Sequence, residues 1–240
     1  YGSLTFSKDG TILAASSGFG AKVIRTTGDP ATMRTLTPQA SRLHKMAFSP
    51  NEHHLVITGA PRTEVPGLPA DGGNVLVFHV PSLLNPTPPG PLAQWNAESL
   101  GTGELDIAFS NTSKLAVWGN QHIRFWNTEL GRECGVPFPP NPTPCPEFQS
   151  PFTDSYRSAT AVAFSADGTM AAAGFGGNPI GEANKISIWN AITGARIKTV
   201  DYGANVTSVK SIEFADNQRI IASGSDGLKI IRISDGVVVS

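Results

Sequence analysis

The chain has 240 residues, a formal net charge of −1 and only 15% charged residues. It shows no basic stripe of the kind a nucleic-acid-binding surface needs, and no apolar run reaches the roughly 18–20 residues that span a bilayer. Its 25 glycines and 19 prolines suit a fold of many tight turns and few helices. The length fits one large all-β domain as readily as two smaller ones. The chain opens on Tyr1, with no basic segment leading into an apolar one, and so reads as a mature or excised piece.

Taken in chain order, one pattern recurs. The first unit reads SLTFSKDGTILAAS, followed by AKVIRTTG and TMRTL. The second is KMAFSPNEHHLVITG, then NVLVFHV with Phe78, then PLAQW ending in Trp95. DIAFSNTSKLAVWG opens the third, and HIRFWNTELG and RECGVPF complete it. The fourth runs AVAFSADGTMAAAG, KISIWNAITG and ARIKTV, and the fifth SIEFADNQRIIASG, LKIIRISDG and GVVVS. Phe6, Phe48, Phe109, Phe164 and Phe214 anchor the units at gaps of 42, 61, 55 and 50 residues. A unit of about 40–45 residues is the period of a four-stranded propeller blade, with the excess going into loops.

Each part of the unit has a physical reading. Alternation around the phenylalanine, as in Val162 and Phe164 against Ala161 and Ala163, predicts a strand with Phe on one face. The polar stretch after it carries turn chemistry, because Asp bonds back to its own backbone and Gly takes positive φ. The Ala-, Gly- and Ser-rich run beyond the turn fits a second strand where neighbouring sheets crowd together. A third strand follows; Trp126 and Trp189 stand at the same offset before Gly131 and Gly194, which marks both as structural repeat positions. Trp118 is assigned to core and Trp95 to an outer strand.

These residues resemble the WD-repeat family, whose blades carry a phenylalanine–serine–x–aspartate–glycine turn and end their third strand in Trp-Asp. The match is best over 162–200, where VAFSADGTMAAAGF is followed by KISIWNAITGARIKTV. Asn127 and Asn190 stand where the family has Asp, and the Gly-His pair before the first strand is missing throughout. The resemblance implies an all-β propeller of four-stranded antiparallel blades, with one domain over 1–240. Five blades are expected, at about 3–41, 44–98, 105–138, 160–201 and 209–240, complete in themselves or part of a larger propeller.

Propeller topology would place the insertions 60–73, 96–104, 139–160 and 175–184 on one face, and LLNPTPPG at 83–90 on the other. Surface loops lengthen cheaply and carry binding residues. The segment 136–157 sets Phe138, Phe148, Phe152 and Tyr156 among seven prolines. That composition suits partner docking, since proline reduces the ordering cost and aromatics give large contact area. The same aromatics could instead fold over their own blades. Arg62 and Glu64, with Asp71, are further candidates on that face. Cys134 and Cys145 flank GVPFPPNPTP and form either a disulfide or two free thiols. Asn111 and Asn205 begin glycosylation sequons. The compartment stays open, with a cytoplasmic one preferred over secretion.

No GxSxG, HExxH or CxxC motif and no phosphate-cradling glycine loop occurs. His53 and His54 are adjacent on a turn and lack a third ligand at metal spacing. First strands reading LTF, MAF, IAF, VAF and IEF offer one carboxylate, Glu213, for a channel-centred hydrolase. The expectation is a non-catalytic protein–protein interaction scaffold, with no cofactor and no metal, whose partner is another protein or a peptide. A carbohydrate-binding propeller is the alternative, against which stands the unlike length of equivalent loops.

Overall fold

A computed structural model of the chain describes residues 2–17, 20–27, 33–36, 40–61, 75–85, 93–95, 106–111, 114–118, 123–127, 132–133, 159–176, 185–203 and 208–239. Among these residues the fold is all-β, with five antiparallel sheets and one short helix. The chain divides into two compact units, Tyr1–Ile107 and Ala108–Ser240.

The first unit holds two sheets, each with its strands in sequence order. Sheet 1 contains β1 (Leu4–Phe6), β2 (Ile12–Ser17), β3 (Gly20–Arg25) and β4 (Arg34–Leu36). Sheet 2 contains β5 (Ala40–Phe48), β6 (His54–Pro61), β7 (Val75–His79) and β8 (Ala93–Trp95), with the helical turn α1 (Val80–Leu83) after β7. Sheet 2 starts at Ala40, inside the span expected for the first blade. One core joins the two sheets. Ala14, Ala21, Val23 and Leu36 of sheet 1 pack with Met46, Leu55, Ile57, Leu76 and Phe78 of sheet 2, and Phe48 lies against them.

Sheet 3 contains β9 (Ile107–Phe109), β10 (Lys114–Trp118), β11 (Ile123–Asn127) and β12 (Arg132–Glu133). Sheet 4, the longest, contains β13 (Ala159–Phe164), β14 (Met170–Phe175), β15 (Lys185–Asn190) and β16 (Arg196–Asp201). Sheet 5 contains β17 (Val209–Asp216), β18 (Arg219–Gly224) and β19 (Gly227–Arg232). The fourth strand expected in GVVVS is reduced to a bridge between Val238 and Ile231. Two main-chain bonds, from Arg232 N to Val237 O and from Val239 N to Ile230 O, pair it with β19 among the described residues. The described residues therefore give four sheets of four strands and one of three.

The stacking has a direction. Alternation puts Val162, Ala171, Ala173, Phe175 and Trp189 on one face of sheet 4, with Phe164, and Ala108 of sheet 3 packs there. The other face carries Ala161, Ala163, Ala172, Ile186, Ile188 and Val200, which meet Val209, Ile212, Ile220, Ala222 and Ile231 of sheet 5, with Phe214. The Phe-bearing faces of sheets 4 and 5 thus lie on the Phe-free face of the sheet before them, as that of sheet 2 does on sheet 1. Close approach requires the small residues expected in the second strand. A Cβ on Gly174 would come within 2.5 Å of Val209 Cγ1 and 2.9 Å of Ile212 Cδ1.

Candidate functional site

Antiparallel order fixes which loops leave which end of a sheet. In sheet 2 the end of β6, the start of β7 and the end of β8 coincide, so 62–74 and 96–105 spring from one end. In sheet 4 that end receives 134–158 and emits 177–184. The opposite ends carry the hairpins between first and second strands, and these are built alike.

In the hairpin of sheet 1, Ser7 Oγ donates to Asp9 Oδ1 at 2.6 Å and accepts the Ile12 N–H at 2.9 Å. Asp9 Oδ1 also accepts the Thr11 N–H at 2.9 Å. In sheet 4, Ser165 donates to Asp167 at 2.6 Å and accepts from Met170 N at 2.9 Å, and Asp167 accepts from Thr169 N at 3.0 Å. Ser49, Asn51 and the N–H groups of His53 and His54 repeat the set in sheet 2. The serine hydroxyl holds Asp9 and Asp167 below the usual carboxylate range, followed by the backbone N–H of Thr11 or Thr169. Gly10 and Gly168 take φ of 71° and 72°; Glu52 occupies the equivalent place at φ 59° and uses its carboxylate to accept the Asp9 N–H at 2.7 Å. Comparable clasps link neighbouring hairpins of the second unit. Asn111 Nδ2 donates to Ala166 O at 2.5 Å, and Asn217 Nδ2 to Asp167 Oδ2 at 2.7 Å.

First strands of adjacent sheets are also stapled. Met46 N donates to Ser3 Oγ at 3.1 Å, and Thr160 Oγ1 to Val209 O. Lys45, placed at a register irregularity of β5, pairs with Asp106 at 2.5 Å. Asp106 is buried just ahead of β9 and also accepts the Ile107 N–H at 2.9 Å. It stands three residues before Phe109, as Lys45 does before Phe48. Counting only IAF missed it; the Asp of DIAF was the available signal.

Tyr202, between β16 and β17, was also missed, because a lone Tyr in a connection carries no pattern. It is fully buried, and its hydroxyl donates to Ala222 O at 3.1 Å and Gly227 O at 2.6 Å. Lys229 Nζ lies 4.4 Å from its ring centroid, donates to its carbonyl at 2.6 Å and pairs with Asp226. Burial, then the Asp226 charge, raises the phenol above its ordinary value. His54 begins β6 opposite His79, and its Nδ1 is buried without a hydrogen-bond partner. Burial is the main cause that lowers its pKa, followed by His53 and His79.

Trp189 is buried and meets Phe175 edge to face at 6.5 Å, while Asn190 Oδ1 accepts the N–H groups of Ile192 and Thr193 at 2.9 and 2.8 Å. That asparagine closes the turn after β15. Trp126 pairs in register with Leu115 and Glu133. Phe48 and Phe214 pack against the cores, whereas Phe6 is 52% exposed. Phe138, Phe148, Phe152, Tyr156, Arg62, Glu64, Asp71, Cys134, Cys145 and Asn205 lie outside the described residues.

The hydroxyls of Ser7 and Ser165 face carboxylates, not imidazoles, and both serines are buried, so they act as turn staples and not as nucleophiles. Among the described residues no group of three His, Cys, Asp or Glu could hold a metal ion, and no helix is long and apolar enough to cross a membrane. No protein-family model matches the chain. No curated protein matches it either.

Proposed function

We propose that this chain is a non-catalytic protein–protein interaction scaffold of WD-type β-propeller blades, presenting its long loops from one end of its sheets. The observation that carries this reading is the opposition of ends in sheets 2 and 4. One end is closed by a short Ser–Asn or Ser–Asp hairpin bonded to a neighbouring hairpin, and the other sends out the long connections. A rigid frame with variable loops at one end suits recognition, because function is grafted on loops that the scaffold positions. The aromatics Phe138, Phe148, Phe152 and Tyr156 would be the anchors, with Arg62 and Glu64 beside them, and the partner a protein or peptide. The test is affinity capture with cross-linking, comparing the intact chain with one lacking 136–157. Loss of the captured partner with an unchanged circular-dichroism spectrum supports the reading. Unchanged capture, or binding to a glycan array in place of a protein, contradicts it.

A further inference from the structure

Four Asp–Gly pairs stand among the described residues: Asp9–Gly10, Asp167–Gly168, Asp226–Gly227 and Asp235–Gly236. A fifth, Asp71–Gly72, lies outside them. Such a bond is labile for a steric reason. Glycine has no Cβ to shield its amide nitrogen, and that nitrogen can attack the aspartyl side chain just ahead of it.

Three of the four are locked. Asp9 accepts the Ser7 hydroxyl and the Thr11 N–H, and Asp167 the Ser165 hydroxyl and the Thr169 N–H. Asp235 accepts the Val237 N–H at 3.1 Å and pairs with Arg232 at 2.6 Å. In each, the glycine donates its N–H backward: Gly10 to Ser7 O at 2.9 Å, Gly168 to Ser165 O and Gly236 to Arg232 O at 2.8 Å. The nitrogen is thus occupied, and the carboxylate is tied to the residue beyond it. The Ser hydroxyl in the first two and Arg232 in the third also hold these carboxyls below the usual range, in the ionised form that an amide does not attack.

Asp226 differs. It sits at the tip of the β18–β19 hairpin, where no hydroxyl or main-chain N–H among the described residues reaches its carboxylate; its partner is the Lys229 ammonium. An ion pair between flexible side chains, partly open to water, holds a group weakly. The same Lys229 Nζ donates to Tyr202 O at 2.6 Å and lies 4.4 Å from the Tyr202 ring centroid, while Gly227 O accepts the Tyr202 hydroxyl at 2.6 Å. The labile bond therefore adjoins the groups with which sheet 5 holds Tyr202, the residue that follows β16.

We propose that Asp226–Gly227 is a site of spontaneous isoaspartate formation, and that the rearrangement loosens sheet 5 from Tyr202 as the protein ages. The Gly227 nitrogen gives up its proton and bonds to Cγ of the protonated Asp226 carboxyl, which sheds one oxygen as water to close a succinimide. Water then reopens the ring. Cleavage at the former main-chain carbonyl of Asp226 leaves isoaspartate, with the chain running through the old side chain and one carbon longer. The new carboxylate sits on Cα, away from the place where Lys229 met the old one, and Gly227 O moves with the lengthened chain. The inference uses none of the loops on which the binding reading rests.

Peptide mapping of the intact chain, stored warm at neutral pH and read by isoaspartate-selective fragmentation, tests it beside a sample stored in guanidinium chloride. In the folded chain isoaspartate should accumulate at Asp226 several-fold faster than at Asp9, Asp167 or Asp235. In the denaturant the four sites should react at like rates, because the protecting bonds are gone. Hydrogen exchange over 219–232 should quicken on ageing, and should not in Asp226→Glu, whose longer side chain closes the imide ring poorly. Equal accumulation at the four sites of the folded chain, or a preference for Asp226 that persists in denaturant, overturns the proposal.

Discussion

Sheets 4 and 5 carry like residues in like register rows, yet sheet 4 is buried on both faces and sheet 5 on one. The contrast teaches that a residue's role in this repeat is set by the neighbour that covers it, not by its own strand. Ala161, Ala163 and Gly174 are small because sheet 5 presses on them. Their counterparts Ser211, Glu213 and Ser223 are polar, Ser211 and Glu213 exposed and Ser223 half-buried. The same substitution should therefore have unequal consequences in the two sheets.

Adding bulk at the contact is the most damaging change. Gly174→Val should cost about 1–3 kcal/mol in urea unfolding, since its Cβ alone would overlap Val209. Ser223→Val, the matching change on the open face, should stay within about 0.5 kcal/mol. Next comes the hairpin staple. Ser165→Ala should lose about 1–2 kcal/mol by leaving Met170 N and Asp167 short of a partner. Ala215→Ser, which restores that residue type in sheet 5, should gain nothing. Asp216 there follows Phe214 one residue too early and is already bonded to Gln218 N and Arg219. Tyr202→Phe removes two bonds to buried carbonyls of sheet 5 and should cost about 1 kcal/mol.

The smallest effect is a pH dependence in sheet 2. Burial lowers the His54 pKa below 6.5, so its contribution is whole above that value and declines as the pH falls through it toward the folded-state pKa. Asp9 and Asp167, also lowered, lose their contributions further down, as the pH falls below 3.8. The urea midpoint should drop between about pH 7.5 and about pH 5, and His54→Gln should flatten that slope. An equal slope in the variant removes His54 as its source.

The repeat was legible because its signals are local. Phenylalanine spacing, the Ser–x–Asp–Gly turn and period-two alternation each sit within one hairpin, and the described residues hold five antiparallel sheets, each with one of the five phenylalanines in its first strand. Positions set by tertiary context were not legible. Glu52 at positive φ is tolerated because its side chain reaches the next hairpin, and Lys45 meets Asp106 across 61 residues of sequence. The exposure of Phe6 was hidden for the same reason. Its strand reads like that of Phe164, which packs with Ala108 of sheet 3.

The most direct test pairs Ile188→Ala with Ile230→Ala, measured by equilibrium unfolding in dilute protein. These residues share a register row, a face and a chemistry, and differ in whether a sheet covers them. The account predicts a loss of about 2–5 kcal/mol for the first and under about 1 kcal/mol for the second. Equal losses would mean that directional sheet-on-sheet burial does not set the roles of these residues.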